Sequence, residues 1–512
     1  MKLPYLPLTV LMVSYATAQP TITSDAAPPV VKQGTAHQFA ATCTGGCTYT
    51  LAPGSVGTID NTGLYRAPAH VTVNQSVFGC QVLPPDHAFN TPISGLPVRT
   101  ESAAWVSLLA NGRMPLTFDP GDTPINPISS STPSHPLTFI YTPQNNGSYQ
   151  LPAPPDLLLQ GGYYHSGGDR HYLAVRPDTC AITEIYNFTG NAPSGYDVFP
   201  ITSSGLTYNS MNGTLPNGST NAAGGYFIPN TLRVQEVMKA LATGASVIPH
   251  PINITLANYS QLGSSIPEWP ATTVAVSAVN TIPYGARFRL KASYTYTGTS
   301  PITAILINTM KQYGFFVSDG GYSMNTYGMD SDIMPPGMAQ AVQELTSLFP
   351  ASAFTNFEFV RQAALAPANP LAPDGGLIDP NAARGISGYL PPQYAQVLVS
   401  DSSGTAKMRV LLQGATIDFG ASMYSFQAGA LAFQLPYYIR GLPSSDVTCT
   451  MSPAVGTLDA STCTYTPPAA IAVPTMTTVT VTANADSTVK TQTNVLVLPD
   501  GGLGLLPAAP SN

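Results

Sequence analysis

"CTYTLAPGSVGTIDNTGLYRAPA" (residues 47–69) and "VTCTMSPAVGTLDASTCTYTPPA" (residues 447–469) are one pattern written at both ends of the chain. Each runs through a strand-like stretch, a proline, Gly-Thr-Ile or Gly-Thr-Leu, an aspartate, a small polar turn, a tyrosine and Pro-Ala. Upstream, "VKQGTAHQFAAT" (31–42) and "FQAGALAFQL" (426–435) each place a glycine turn before an apolar–polar alternation. Downstream of the second copy, "MTTVTVTANADSTVKTQTNVLVLP" (476–499) alternates strictly from Thr478 to Thr482. Successive strand side chains point to opposite faces, so such alternation marks strands with one face buried.

The composition agrees. The 512 residues include 50 prolines and 44 glycines, too many for a helical protein and suited to short strands joined by turns. At 44% apolar, the chain has enough hydrophobic material for real cores. Charge is sparse at 9%, and the net charge of −7 with 19 lysines and arginines excludes nucleic acid as a partner, because phosphate neutralisation needs a basic surface. Lys2, the apolar run Leu6 to Tyr15 and Ala16-Thr17-Ala18 read as a cleaved export signal over residues 1–18. No stretch is long and apolar enough for a membrane span. Six cysteines in an exported chain can pair. Cys449 and Cys463 flank a turn, whereas Cys43, Cys47 and Cys80 form an odd set, one of them free or bonded to Cys180.

The repeated segments resemble bacterial Ig-like repeats of secreted proteins, with Tyr49 where a core tryptophan is common. The resemblance covers roughly 20–98 and 413–499 and implies two-sheet sandwiches used for spacing or adhesion. The expected division is an Ig-like domain at 19–98, a central β-rich module at 99–360, a connecting β segment at 361–412, an Ig-like domain at 413–500 and a tail at 501–512. The central module resembles an uncharacterised family of secreted bacterial proteins through "GGDRHYLAV", "TCAITEIYN", "NAAGGYFIPNTLRVQEV", "WPA", "YGARFRLKASY" and "MKQYGFFVSDGG". It departs from that pattern at Asn221, where an acid is expected, and at His250-Pro251. The fold class expected is mainly β: Ig-like sandwiches at both ends around a larger central β-sandwich module with a few helices. Those helices are a Ser300-capped one from Pro301 to Gly314, one from Met338 to Phe349, and a short one within "NTLRVQEVMKALATG" (230–244).

Charge concentrates in "HSGGDRHYLAVRPDTC" (165–180). Read as a hairpin around Arg176-Pro177-Asp178-Thr179 with Val175 opposite Cys180, it sets His171 opposite Glu184. A carboxylate beside an imidazole suits acid–base work. Asp169 and Glu236 are further candidate acids, and two carboxyls across a cleft are what glycoside hydrolysis requires. Tyr163, Tyr164 and Tyr172 are candidate sugar-stacking residues. Arg287 and Arg289 alternate with apolar residues and are candidates to orient substrate.

His165, Asp169 and His171 have the residue types of a metal site, and Asp119 with Asp122 or Asp330 with Asp332 those of a calcium loop. None has an established spacing, and turns are the plainer reading, so no metal and no cofactor is expected. Nucleophile-elbow, nucleotide-loop and zincin patterns are absent from the sequence. The function expected is a glycoside hydrolase or polysaccharide lyase acting on an extracellular polysaccharide or cell-surface glycan. The alternative is a non-catalytic adhesin or carbohydrate-binding protein with Ig-like spacers.

Overall fold

The computed structural model describes residues 19–499 apart from 113, 119–122, 138–148, 155–156, 162–168, 189–203, 217–220, 258–259, 264–265, 276–280, 322–324, 327–333 and 335. The chain is mainly β, with β-sandwiches at both ends.

At the C-terminal end Met423–Gln427 runs parallel to Lys490–Leu498, followed across the sheet by Thr475–Ala483 and Val447–Ser452. A second sheet of Phe433–Gln434, Thr464–Thr466 and Thr457–Leu458 closes over Val447, Cys449, Tyr465, Val479, Val481 and Val495. The N-terminal end has the same strand order. Val30–Lys32 runs parallel to Gly404–Gln413, followed by Ala395–Asp401 and Thr48–Leu51. Ala36–Gln38, Leu64–Arg66 and Thr58–Ile59 form the opposing sheet.

The shared motif has a shared physical basis. Tyr65 donates its hydroxyl to the Val56 carbonyl at 3.0 Å, and Tyr465 to that of Val455 at 2.7 Å. Gly57 and Gly456 adopt positive φ, and a Cβ there would stand 2.5 Å from the Arg66 carbonyl or 2.3 Å from that of Thr466. Asp60 and Asp459 each cap their turn by accepting from nearby backbone amides.

The two copies differ in continuity. Thr475–Ala483 closely follows Thr464–Thr466, whereas everything between Arg66 and Ala395 intervenes in the N-terminal copy. The stretch 361–412, expected as a connection, thus supplies Ala395–Asp401 and most of Gly404–Gln413 to the N-terminal sheet.

The intervening residues build a six-stranded mixed sheet in the order Thr117–Phe118, Asn325–Thr326, Ile252–Ala257, Phe315–Gly321, Arg287–Leu290, Phe357–Val360. A four-stranded sheet, Ile125–Pro127, Tyr172–Arg176, Ala181–Tyr186 and Ser204–Asn209, shares its core through Leu173, Val175 and Ile182. Helices Ser102–Ala110, Val234–Thr243, Pro301–Gln312 and Pro336–Leu348 add Leu109, Val237, Leu306 and Leu345 to the same core. Each such side chain contributes about 1.5–3 kcal/mol on burial. Ser300 caps its helix by accepting from the Thr303 amide at 3.2 Å. Disulfides join Cys43 to Cys47, Cys80 to Cys180 and Cys449 to Cys463. No helix among the described residues is long and apolar enough to cross a membrane.

Candidate functional site

The hairpin forms, with its register two residues away from expectation. Val175 pairs with Ile182 and Leu173 with Glu184. Cys180, at φ +58, belongs to the turn rather than to the strand. A slip of two preserves which side chains share a face. It also carries the His171 ring to Tyr186, 5.5 Å between centroids, instead of to Glu184.

Both intended partners are interior. His171 is fully buried against Phe227, and that burial lowers its pKa to about 4, against the opposing pull of the Asp169 charge and a backbone hydrogen bond at Ile185. Glu184 is equally buried. Its Oε1 accepts from the Tyr208 hydroxyl and the Ile228 amide, and its Oε2 from the Phe227 amide, each at 2.8 Å. This carboxylate anchors the turn at 227–228, so the His171–Glu184 acid–base pair is corrected to two packing groups.

The other expected groups resolve similarly. Glu236 lies on the helix Val234–Thr243 and binds Arg233 at 2.5 Å and His250 Nε2 at 2.9 Å. Burial alone would raise its pKa, but those two partners outweigh it and hold the carboxyl low. Arg287 is buried, donating to Gln362 Oε1 at 2.7 Å and to the Tyr313 carbonyl at 2.5 Å, and burial brings its pKa to about 9. Arg289 bonds Glu358 at 2.8 Å and the Ile93 and Leu96 carbonyls. Their strand runs between two others. Arg287 is fully buried, whereas Arg289, with its partner Glu358, reaches the wall of a separate cleft of about 410 Å³ beside Lys311. Tyr172 is buried and donates to the Pro152 carbonyl at 2.7 Å, which removes it from any stacking role. Tyr163, Tyr164 and His165 lie outside the described residues, as do Asp119, Asp122, Asp330 and Asp332. Among the described residues no three His, Cys, Asp or Glu side chains are grouped to hold a metal.

Asp169 keeps chemical promise, with a partner that sequence reasoning passed over. It is half-buried just before Tyr172–Arg176, where its carbonyl accepts from the Asn187 amide at 2.8 Å. Its charge acts on His171 and on Asp319. Asp319 sits near the end of Phe315–Gly321, opposite Thr255, where the pairing shifts register. Such irregularities re-aim side chains. Its carboxyl accepts from the Gly320 amide at 2.7 Å and the Ala222 amide at 3.2 Å. Burial nevertheless pushes its pKa up to about 7, and the Asp169 charge adds to the rise. "FFVSDGG" reads as a strand and turn; the missed signal is an acid within the strand itself, two residues after its apolar run.

Ala222 connects this pair to a cleft of about 700 Å³ lined by Leu206, Tyr208, Thr214, Tyr226, Thr272 and Thr273. Its amide donates to Asp319 while its carbonyl accepts from the Thr273 hydroxyl at 3.0 Å, so one residue stands between cleft wall and carboxyl. The Tyr208 and Tyr226 rings lie 4.3 Å apart. Asp319, pushed up to about 7 chiefly by burial with the Asp169 charge adding to the rise, thus lies one residue behind the wall of an aromatic-lined cleft, and a carboxyl of that pKa is able to donate a proton near neutrality.

No family model and no curated protein matches this chain. Among solved structures, an endo-fucoidan hydrolase of glycoside hydrolase family 107 aligns over 20% of this chain and 18% of its own, at 14% identity and a TM-score of 0.13. Protocadherin gamma B2 extracellular cadherin domains 3–6 align over 94% and 99%, at 10% identity and 0.15. The N-terminal four Ig domains of Dscam1 isoform 8.4 align over 94% and 99%, at 8% identity and 0.12. These scores tie the chain to none of the three, and its chemistry rests on its own residues.

Proposed function

We propose that the protein is an exported hydrolase of an extracellular glycan, with Asp319 as general acid and Asp169 as the second carboxyl. The observation that supports this reading is the position of the Asp319 carboxyl, hydrogen-bonded to the Ala222 amide directly behind the cleft wall, where burial and the Asp169 charge push its pKa up to about 7. In such a reaction the glycosidic C–O bond would break as the Asp319 proton passes to the leaving oxygen, with Asp169 supplying the second carboxyl that the chemistry needs. Water would add to the sugar carbon and its proton restore the acid. Three disulfides and the leader-like residues 1–18 support export.

The test is incubation of the protein, Asp319→Asn and Asp169→Asn with a polysaccharide panel, reading reducing ends. The protein is expected to release them, and each variant to lose about 10²–10⁴-fold in rate without a fall in melting temperature. Ultraviolet-absorbing unsaturated ends would assign elimination instead. No product from any polymer would leave a non-catalytic glycan-binding or adhesive protein.

A further inference from the structure

We infer, resting on the function proposed above, that the cleft takes an uncharged sugar chain rather than a uronate or sulfated one. Its wall consists of hydroxyls, an amide, prolines, aliphatic groups and two tyrosines: Thr207, Asn212, Thr214, Thr272 and Thr273 supply the polar atoms, and among the described residues no lysine, arginine or histidine lines it. Both tyrosine hydroxyls are engaged by protein groups, that of Tyr208 behind the wall and that of Tyr226 along it. Tyr208 donates to Glu184, and Tyr226 bonds Asn212 and, at 3.1 Å, Thr214. What Tyr208, half-buried and stacked on Tyr226, has left for a ligand is ring surface, the part of tyrosine that packs on the C–H face of a sugar.

The acid nearest the cleft is Glu184, directly behind Tyr208; the Asp319 carboxyl lies behind Ala222, and the Asp169 charge acts on it. The cation whose charge reaches Tyr208 is Arg233. It is buried, and it donates to the Ile228 carbonyl at 2.6 Å, to Gln75 at 2.9 Å and to Glu236. Arg287 is committed inside the six-stranded sheet, and Arg289, paired with Glu358, lines a different cleft with Lys311. An anionic sugar entering here would shed its water, meet no cation and add to a negative field, so like charge selects against it.

The experiment measures binding and cleavage separately. The full chain is titrated with a neutral glucan, a neutral mannan, polygalacturonate and a sulfated fucan. The Leu371→Lys variant, which places a cation on an exposed lining residue, is run beside it. The expected result is at least about tenfold tighter binding to a neutral polymer, with an affinity that added salt leaves unchanged. Leu371→Lys should narrow that preference by raising affinity for the acidic polymers. Tighter, salt-sensitive binding of an acidic polymer by the unaltered chain would overturn the inference, as would binding of none of the four. Neutral binding without products would uphold the inference while refuting hydrolysis. Cleavage of an acidic polymer alone would do the reverse.

Discussion

Asp319 and His171 are both displaced from their ordinary titration ranges by burial, in directions that pull opposite ways on stability. Asp319 titrates near 7 in the folded chain against an ordinary 3.8. Its contribution is fully present below about pH 4 and is lost as pH rises through about 7. His171 titrates near 4 against 6.5, so its contribution is present above about 6.5 and lost as pH falls through about 4. Replacing His171 by Phe should flatten the acid side of a melting-temperature profile between those limits, by up to about 3 kcal/mol. Buried His87, lowered to about 4 in the same way, retains its own share. The Asp319 effect is catalytic too: hydrolysis should decline as pH rises through about 7, the limb of the rate profile that reports the acid. Asp169 was legible as an acid from its glycine-rich setting. The burial that makes Asp319 an acid was not, because the backbone at Ala222 that packs on it is remote in sequence.

Among the elements, the repeated turns were the most legible, because every feature of their pattern acts locally. Tyr465→Phe should cost the C-terminal sandwich about 1 kcal/mol through the lost bond to Val455, read by chemical denaturation. Gly456→Ala should cost about 1–3 kcal/mol in the same measurement, since its φ of +81 and the Thr466 carbonyl both resist a Cβ. The hairpin at 172–186 was legible as an element and illegible in register. Arg176-Pro177-Asp178-Thr179 suits a tight turn, but the positive φ of Cys180 lengthens it and draws the cysteine to Cys80. The strand Arg287–Leu290 misled for a related reason. Its alternation is real, but the groups that cover its polar face, Ile93, Glu358 and Gln362, come from distant segments.

At the scale of the molecule, the N-terminal sandwich is completed only by residues that follow the central sheets. Val397, Val399, Val410 and Leu412 fill the same core as Val31, Phe39 and Tyr65. Residues 414–499 should therefore fold alone and give a dispersed amide spectrum, whereas 19–98 should stay unfolded until 395–413 is supplied. The stretch "AQVLVSDSSGTAKMRVLLQ" (395–413) is the displaced counterpart of 475–498. Its alternation was visible, but pairing across so long an interval is set by tertiary packing.

The account stands on Asp319 holding its proton near neutrality because Asp169 and burial oppose its ionisation. A carboxyl-carbon NMR titration of the protein, Asp319→Asn and Asp169→Asn measures this directly. The account predicts one resonance titrating near pH 7, absent in Asp319→Asn and shifted to lower pH in Asp169→Asn. A spectrum in which every carboxyl titrates below about pH 5, or in which that resonance survives Asp319→Asn, would contradict it.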